Sequence, residues 1–165
     1  LATDEAGKID TIKDLLRFEE EVIRNRYEYI LDLDVTSPLR NFFDIQESFN
    51  IISKNKKAET LFSVNPANRN PYFNMVEENI TGFYSLVKTN VNGSSVTRQS
   101  APKVYELNAS FYWYRRSFFE SDSKTPITQN SLIYEMPHVC FDLDHQIDFD
   151  FMEYLLLNNK LDFSL

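Results

Sequence analysis

Glycine is scarce in this sequence, which has three in 165 residues, and there is one cysteine and no long apolar run. An average composition holds roughly 7% glycine, or about twelve in a chain of this size. With only Gly7, Gly82 and Gly93 present, collagen and glycine-rich low complexity are excluded. So is an intact GxGxxG or GxxxxGK[ST] phosphate loop within these residues. Cys140 cannot form an internal disulfide by itself, so nothing in the composition points to an oxidising compartment. No apolar run approaches the ~18 residues of a membrane-spanning helix. Leu1 to Ala6 offer neither the basic flank nor the apolar core of an export signal. Three sequons, at Asn79, Asn92 and Asn108, are then chance spellings, and the chain reads as cytoplasmic.

Positive charge is also short. The 17 basic against 25 acidic side chains leave a net charge of −8, which excludes a broad nucleic-acid or anionic-membrane surface. What is abundant is aromatic: 14 Phe, 9 Tyr and one Trp within a 42% hydrophobic composition that argues against disorder. The length suits one domain, which buries about 70% of its unfolded surface.

Apolar spacing orders the chain into elements. Ile9, Ile12, Leu15, Leu16, Val22 and Ile23 recur near three and four, predicting an amphipathic helix over residues 8–25. Tyr27 to Val35 reads as a strand that runs into a turn at Thr36-Ser37-Pro38. Helical spacing resumes through Phe42, Ile45, Phe49 and Ile52, and Glu59 to Val64 is a second buried strand. This α, β, α, β alternation implies an α/β fold with a mainly parallel sheet covered by helices. Residues 65–99 break it with a polar, Asn-rich excursion. It carries short strand-like runs at Tyr72 to Val76 and Phe83 to Lys88, and a turn at Asn92-Gly93. Strands return at Val104 to Tyr114 and Leu132 to Met136, and a last helix, packed on the sheet, spans Phe151 to Asn158.

Several clusters could carry chemistry. Asp142 and Asp144 are two apart in an extended stretch, which turns both carboxylates to one side. The pair suits a hard cation such as Mg²⁺ beyond a strand end, and equally suits the start of the following helix. Asp32 and Asp34 alternate with Leu31, Leu33 and Val35 and so share a face, a solvent edge or a ligand crevice. Arg40 fits either an anion contact or a surface role. Glu106, Asn108, Ser110 and Tyr112 fall on one side of a strand, a polar face with aromatic bodies that suits a sugar and equally an ordinary half-exposed strand. His138 and His145 lack zinc spacing with Cys140 and read as structural or surface residues.

At Asp34-Val-Thr-Ser-Pro-Leu-Arg40 the sequence resembles the acylneuraminate cytidylyltransferases, which carry L-Q-P-T-S-P-L-R there. Leu1-Ala-Thr-Asp-Glu-Ala6 is similar to the family's L-A-x-D-x-A. Arg69-Asn-Pro-Tyr-Phe-Asn-Met-Val-Glu77 resembles the R-N-P-Y-F-N-M-V-E of members acting on legionaminic and related nonulosonic acids. Arg98-Gln99 and Asn108-Ala109 match its R-Q and N-[GA] positions, and Asp142-Leu-Asp144 with Ile147-Asp148 matches D-I-D-x-x-x-D. Six segments in order make the resemblance specific over nearly the whole chain.

The resemblance implies a Rossmann-like nucleotidyltransferase that activates a nine-carbon sugar acid with CTP and releases pyrophosphate, with Mg²⁺ as cofactor. Carried over, Asp142 and Asp144 are the metal carboxylates and Ala6 and Lys8 contact the nucleotide. Asp34 lies near the sugar and metal, Asn108 and Tyr112 face the sugar, and Arg98 reaches across a homodimer. Residues 1–64 then form the second part of the nucleotide-binding domain, 65–100 the dimerisation excursion, and 101–165 the sugar-acid and metal part. Three departures matter. Asp34 replaces a Gln and could add a metal ligand, Glu106 stands where sialate-specific relatives carry Arg, and Phe73 stands near where some carry Lys. Together they favour a differently decorated sugar acid, of the legionaminic kind. The family's opening A-R-x-x-S-K-x-x-x-K-N cradle is absent and would lie roughly 75 residues before Leu1. The expectation is therefore an N-terminally truncated enzyme, inactive alone, or a non-catalytic sugar-acid-binding or dimerisation module derived from that family.

Overall fold

The computed structural model describes residues 7–89 and 98–165, with Arg98 described by its backbone alone. Helix α1 spans Lys8–Ile23, with Ile9 and Leu16 buried two turns apart, and stops at Arg24 in the left-handed region (φ 54°). Strand β1 is Tyr29–Leu33. Helix α2, Phe42–Lys54, starts on a reciprocal cap. Asp44 N–H donates to Asn41 Oδ1 at 3.1 Å, and Asn41 N–H donates to Asp44 Oδ2 at 2.8 Å. Its buried row, Asp44, Ser48 and Ile52, recurs every fourth residue. Strands β2 (Thr60–Pro66), β5 (Tyr105–Arg115) and β6 (Ser131–Glu135) complete the main sheet, and helix α3 is Gln146–Leu157. Among the described residues no helix is long and apolar enough to cross a membrane.

The class is α/β as expected, but the sheet is mixed rather than mainly parallel. Its order is β1-β5-β2-β6. β1 and β5 are antiparallel, with Tyr29 opposite Arg115 and Leu33 opposite Phe111. Between β5 and β2, Arg115 N–H donates to Glu59 O and Phe111 N–H to Ser63 Oγ, so the register descends one strand as it climbs the other. Among the described residues only β2 and β6 are parallel hydrogen-bonded neighbours, with Thr60 opposite Ser131. β1, β2 and β6 thus share a direction, as α, β alternation requires. β5, arriving after the excursion, inserts between the first two in the opposite sense, and no local pattern announces that polarity.

Two cores flank β5. Phe111 and Trp113 point to the α2 side with Leu39, Ile52, Leu61, Tyr134, Met136 and Cys140. Tyr114 points to the α1 side with Ile9, Leu16, Phe118 and Phe119. Each such large side chain contributes about 1.5–3 kcal/mol by leaving water. Phe118 and Phe119 reach that core from a 3₁₀ turn at Arg116–Glu120. Of α3, Leu155 is buried and Met152 packs on the first core, while most of the helix's other apolar side chains are exposed.

Residues 65–107 form a second compact unit. Its hairpin pairs β3 (Val76–Glu78) with β4 (Tyr84–Leu86), antiparallel. The turn lies at residues 79–83. Asn79 Oδ1 accepts from Thr81 N–H, Thr81 Oγ1 and Phe83 N–H, and Gly82 takes a φ of 79° that side chains disfavour. The expected turn at Asn92-Gly93 lies outside the described residues. Upstream, the Asn70 carbonyl accepts from the N–H groups of Phe73, Asn74 and Met75, which makes the Asn-Pro-Tyr-Phe-Asn run a tight turn.

Candidate functional site

The carboxyl end of β1 gathers polar groups from distant parts of the chain. Past Leu33 the chain turns at Asp34, and Arg40 fixes that turn. Its Nη1 donates to the carbonyls of Asp34 (2.9 Å), Ser37 (2.6 Å) and Ser110 (3.0 Å). One guanidinium therefore ties the end of β1, the Thr-Ser-Pro turn and β5 together. Both sequence readings of Arg40, an anion grip or a surface side chain, give way to a backbone clamp. A spacing pattern could not have revealed it, since Ser110 is 70 positions away.

Lys8 opens α1 and sits between two carboxylates, with Nζ 2.9 Å from Asp32 Oδ2 and 3.0 Å from Asp34 Oδ2. Partial burial pulls the ammonium pKa down, but the close contacts and charges of Asp32 and Asp34 outweigh it, and the pKa lies above that of an ordinary lysine. Asp34 is the mirror case. Burial raises its pKa, and Lys8 together with the Thr36 N–H and hydroxyl brings it below the usual carboxylate range. Thr36 donates twice to Asp34 Oδ1, so both oxygens of that carboxylate are engaged. Asp32 Oδ2 is sealed from solvent with no well-directed donor, and the Lys8 charge compensates it.

Tyr112 lies opposite Asp32 in the sheet register and places its ring 4.8 Å from Lys8 Nζ, within cation–π range. Burial first, and then the charges of Asp34, Asp32 and Asp142 against that of Lys8, raise its hydroxyl pKa. Asn108, expected on the same face, is turned inward instead. It is buried, and its Oδ1 accepts from Ser63 Oγ (2.6 Å) and Ser110 N–H (3.2 Å). The intervening Ala109 has a φ of 58°, a left-handed residue that breaks the two-residue alternation of β5 at this point. Ser37 Oγ donates to the Asn108 carbonyl at 2.6 Å, and Ser110 Oγ donates to the Ser37 carbonyl at 3.1 Å. The floor of the turn is thus a buried polar lattice.

The Asp142 segment is stitched to the same turn. Leu143 N–H donates to Thr36 O at 2.8 Å, and Ser37 Oγ lies 3.3 Å from the Phe141 carbonyl. Asp142 is half-buried, with Oδ1 accepting from Leu143 N–H, and Asp144 is exposed. The start of α3 uses Asp148 instead, which accepts from the His145 N–H at 2.8 Å, so neither Asp142 nor Asp144 is spent as that cap. Among the described residues no three His, Cys, Asp or Glu side chains converge to cage a metal. A pair of carboxylates fits Mg²⁺, which binds one or two of them and takes other oxygens from phosphate and water.

The site residues expected in the first compact unit therefore fall into three groups. Lys8 meets Asp34 and Tyr112 directly, Asp142 is brought to the same turn through Leu143 and Thr36 with Asp144 exposed beside it, and Asn108 supports the turn from below. Glu106 is exposed on the part of β5 belonging to the second unit, and the Arg98 backbone opens a 3₁₀ turn, Arg98–Ser100, in that same unit. Ala6 and the Arg98 side chain lie outside the described residues.

A second polar cluster went unforeseen. Asp44 is fully buried and faces His138 Nε2 at 2.9 Å and the Tyr134 hydroxyl at 3.2 Å. His138 Nδ1 lies 3.1 Å from the Val139 carbonyl, and its ring stacks on Phe163 with centroids 3.6 Å apart. This pair pins the segment leading to Asp142 against α2.

No family model matches the chain. It is similar to the post-translational flagellin modification protein B of Campylobacter coli, 34% identical over 161 residues, covering 98% of this chain and 66% of that protein. It is also similar to the CMP-N,N'-diacetyllegionaminic acid synthase of Campylobacter jejuni subsp. jejuni serotype O:2, 36% identical over 158 residues, covering 94% of this chain and 64% of that protein. The chain thus spans about two thirds of the length of these relatives.

Proposed function

This chain belongs to the CMP-nonulosonic acid synthetase family, and from that membership we propose that it serves the transfer of a cytidylyl group from CTP to a nine-carbon sugar acid of the legionaminic class. The sugar's anomeric hydroxyl attacks the α-phosphorus in line, the bond to the bridging oxygen breaks, and pyrophosphate leaves as the hydroxyl proton is lost. The observation that carries this reading is the convergence at one strand end of Lys8, Asp34 and the Asp142 segment, three stretches remote in sequence. In sheets of this class, ligands bind beyond the carboxyl ends of strands.

Mg²⁺, which Asp142 and Asp144 would hold, supplies charge neutralisation at the phosphate oxygens when bound. Lys8, half-exposed at the start of α1, offers its ammonium and the positive end of the helix to an anionic nucleotide. Tyr112 and Asp32 hold Lys8 in place, and Arg40 keeps the turn rigid. Asn108, with Ser63 and Ser110, shapes the backbone on which the sugar rests. Glu106 would accept from sugar hydroxyls and disfavour a carboxylate beside it, and Arg98 would supply a cation from a partner subunit. The exposed Ile80, Phe83 and Tyr84 of the hairpin suit a homodimer contact.

Pyrophosphate release with CTP, Mg²⁺ and legionaminic acid tests the reading on the full-length gene product. Turnover is expected, with Asp144→Asn lowering it by about a thousandfold or more. Unchanged turnover in Asp144→Asn removes the metal assignment. Sugar-acid binding without any turnover favours instead a non-catalytic binding module.

A further inference from the structure

We propose that Lys8 is the resident cation of the Asp32–Asp34 pair, seated where a divalent ion would otherwise bridge them, and that it withholds Asp34 from metal. The sequence alone left Asp34 open as an added metal ligand, and the geometry closes that role. Asp34 Oδ2 faces Lys8 Nζ at 3.0 Å, and its Oδ1 takes both donors of Thr36. Asp32 Oδ2 faces the same nitrogen at 2.9 Å from a position sealed against water. Two carboxylates this close repel unless a positive charge lies between them. The pair already holds a cation, with the Tyr112 ring 4.8 Å from it, so the place is built to accept one.

The ammonium differs from a metal in one useful respect. It is tethered to the first turn of α1 and cannot be lost to solution or to a chelator. One of the two carboxylate charges beside α1 is therefore balanced whether or not nucleotide and metal are bound. Asp142 and Asp144 remain as the carboxylates open to an exchangeable ion. The functional meaning rests on the cytidylyl-transfer reading, but the ion-binding claim does not.

Mn²⁺ titration of the chain without nucleotide, followed by the electron paramagnetic resonance of free Mn²⁺ at neutral pH, tests it. Lys8→Met, which keeps the packing on Tyr112, is expected to bind one Mn²⁺ per chain more than the wild type, or to bind Mn²⁺ at least about tenfold tighter. The double variant Lys8→Met/Asp34→Asn is expected to lose that gain. Lys8→Gln provides the same comparison if Lys8→Met does not fold. The proposal is overturned if the folded Lys8 variants bind no more Mn²⁺ than the wild type, or if the gain survives Asp34→Asn. The titration reads ion binding without turnover, so a failure of cytidylyl transfer in a separate assay would count against the proposed function and not against the Lys8 ion pair.

Discussion

Removing the Asp44 carboxylate should unfasten α2 from the segment that carries Asp142. Asp44 is fully buried and accepts from the Asn41 N–H at 2.8 Å and the Tyr134 hydroxyl at 3.2 Å, while pairing with His138 Nε2 at 2.9 Å. His138 Nε2 faces that carboxylate and its Nδ1 lies near the Val139 carbonyl, so the ring is held at both nitrogens. Asp44→Ala then removes one partner of a buried polar pair, which costs about 3–5 kcal/mol. The orphaned Tyr134 hydroxyl and Asn41 N–H fall within the same range, because such losses do not add. With a urea dependence of about 2 kcal/mol per molar, the unfolding midpoint should fall by about 1.5–2.5 M. Trp113 is a suitable probe, since it is the only tryptophan and its Nε1 donates to Ser48 Oγ of α2 at 2.9 Å. Asp44→Asn should cost less, and most of its cost should vanish when His138→Phe, which can still stack on Phe163, is already present. A midpoint within about 0.3 M of the wild type for Asp44→Ala, or full additivity of Asp44→Asn with His138→Phe, would refute the coupling of Asp44 to His138.

Two further outcomes follow from backbone and charge. Ala109→Gly should stabilise the chain by about 0.5–1 kcal/mol in the same urea assay, because the φ of 58° costs alanine about 1–2 kcal/mol and glycine only its greater unfolded entropy. Ala109→Val should destabilise it. Asp34 has a lowered pKa, so its contribution, about 1 kcal/mol for a partly exposed pair, is present above about pH 4 and lost as pH falls through the lowered value. Stability curves of wild type and Asp34→Asn should therefore separate above about pH 4 and merge below it. A constant gap down to about pH 2 would show that Lys8 does not act through the Asp34 charge.

What the sequence made legible depended on how local each cause was. α1 announces itself because Ile9 and Leu16 recur at helical spacing on the buried face, and α2 through Phe42, Ile45, Phe49 and Ile52, of which Ile52 is buried and Phe42 is exposed. The hairpin was legible in kind, while its turn is built by Asn79 and Gly82. The polarity of β5 was hidden because alternation in a strand reads the same in either direction. The shared face of Asn108 and Tyr112 failed at a single residue, Ala109, whose backbone angle no side-chain pattern encodes. Lys8 reaches Asp34 across 26 positions and His138 reaches Asp44 across 94. Resemblance to a family put Lys8 and Asp34 in one site without foreseeing that they pair, and the contact of His138 with Asp44 was not visible at all.

The sheet order also sets a timetable for synthesis. Within the described sheet, β1 pairs only with β5, and β2 only with β5 and β6, all of which emerge later. At about 5–20 residues per second, Tyr29 waits on the order of ten seconds for Arg115. Two apolar strands that run the same way and never touch must therefore remain open on the ribosome until the polar excursion has been made. Loop closure of that length is slow, and unpaired strands are the species that aggregate. A nascent chain stalled between β2 and β5 should consequently depend on chaperones far more than one stalled after Arg116.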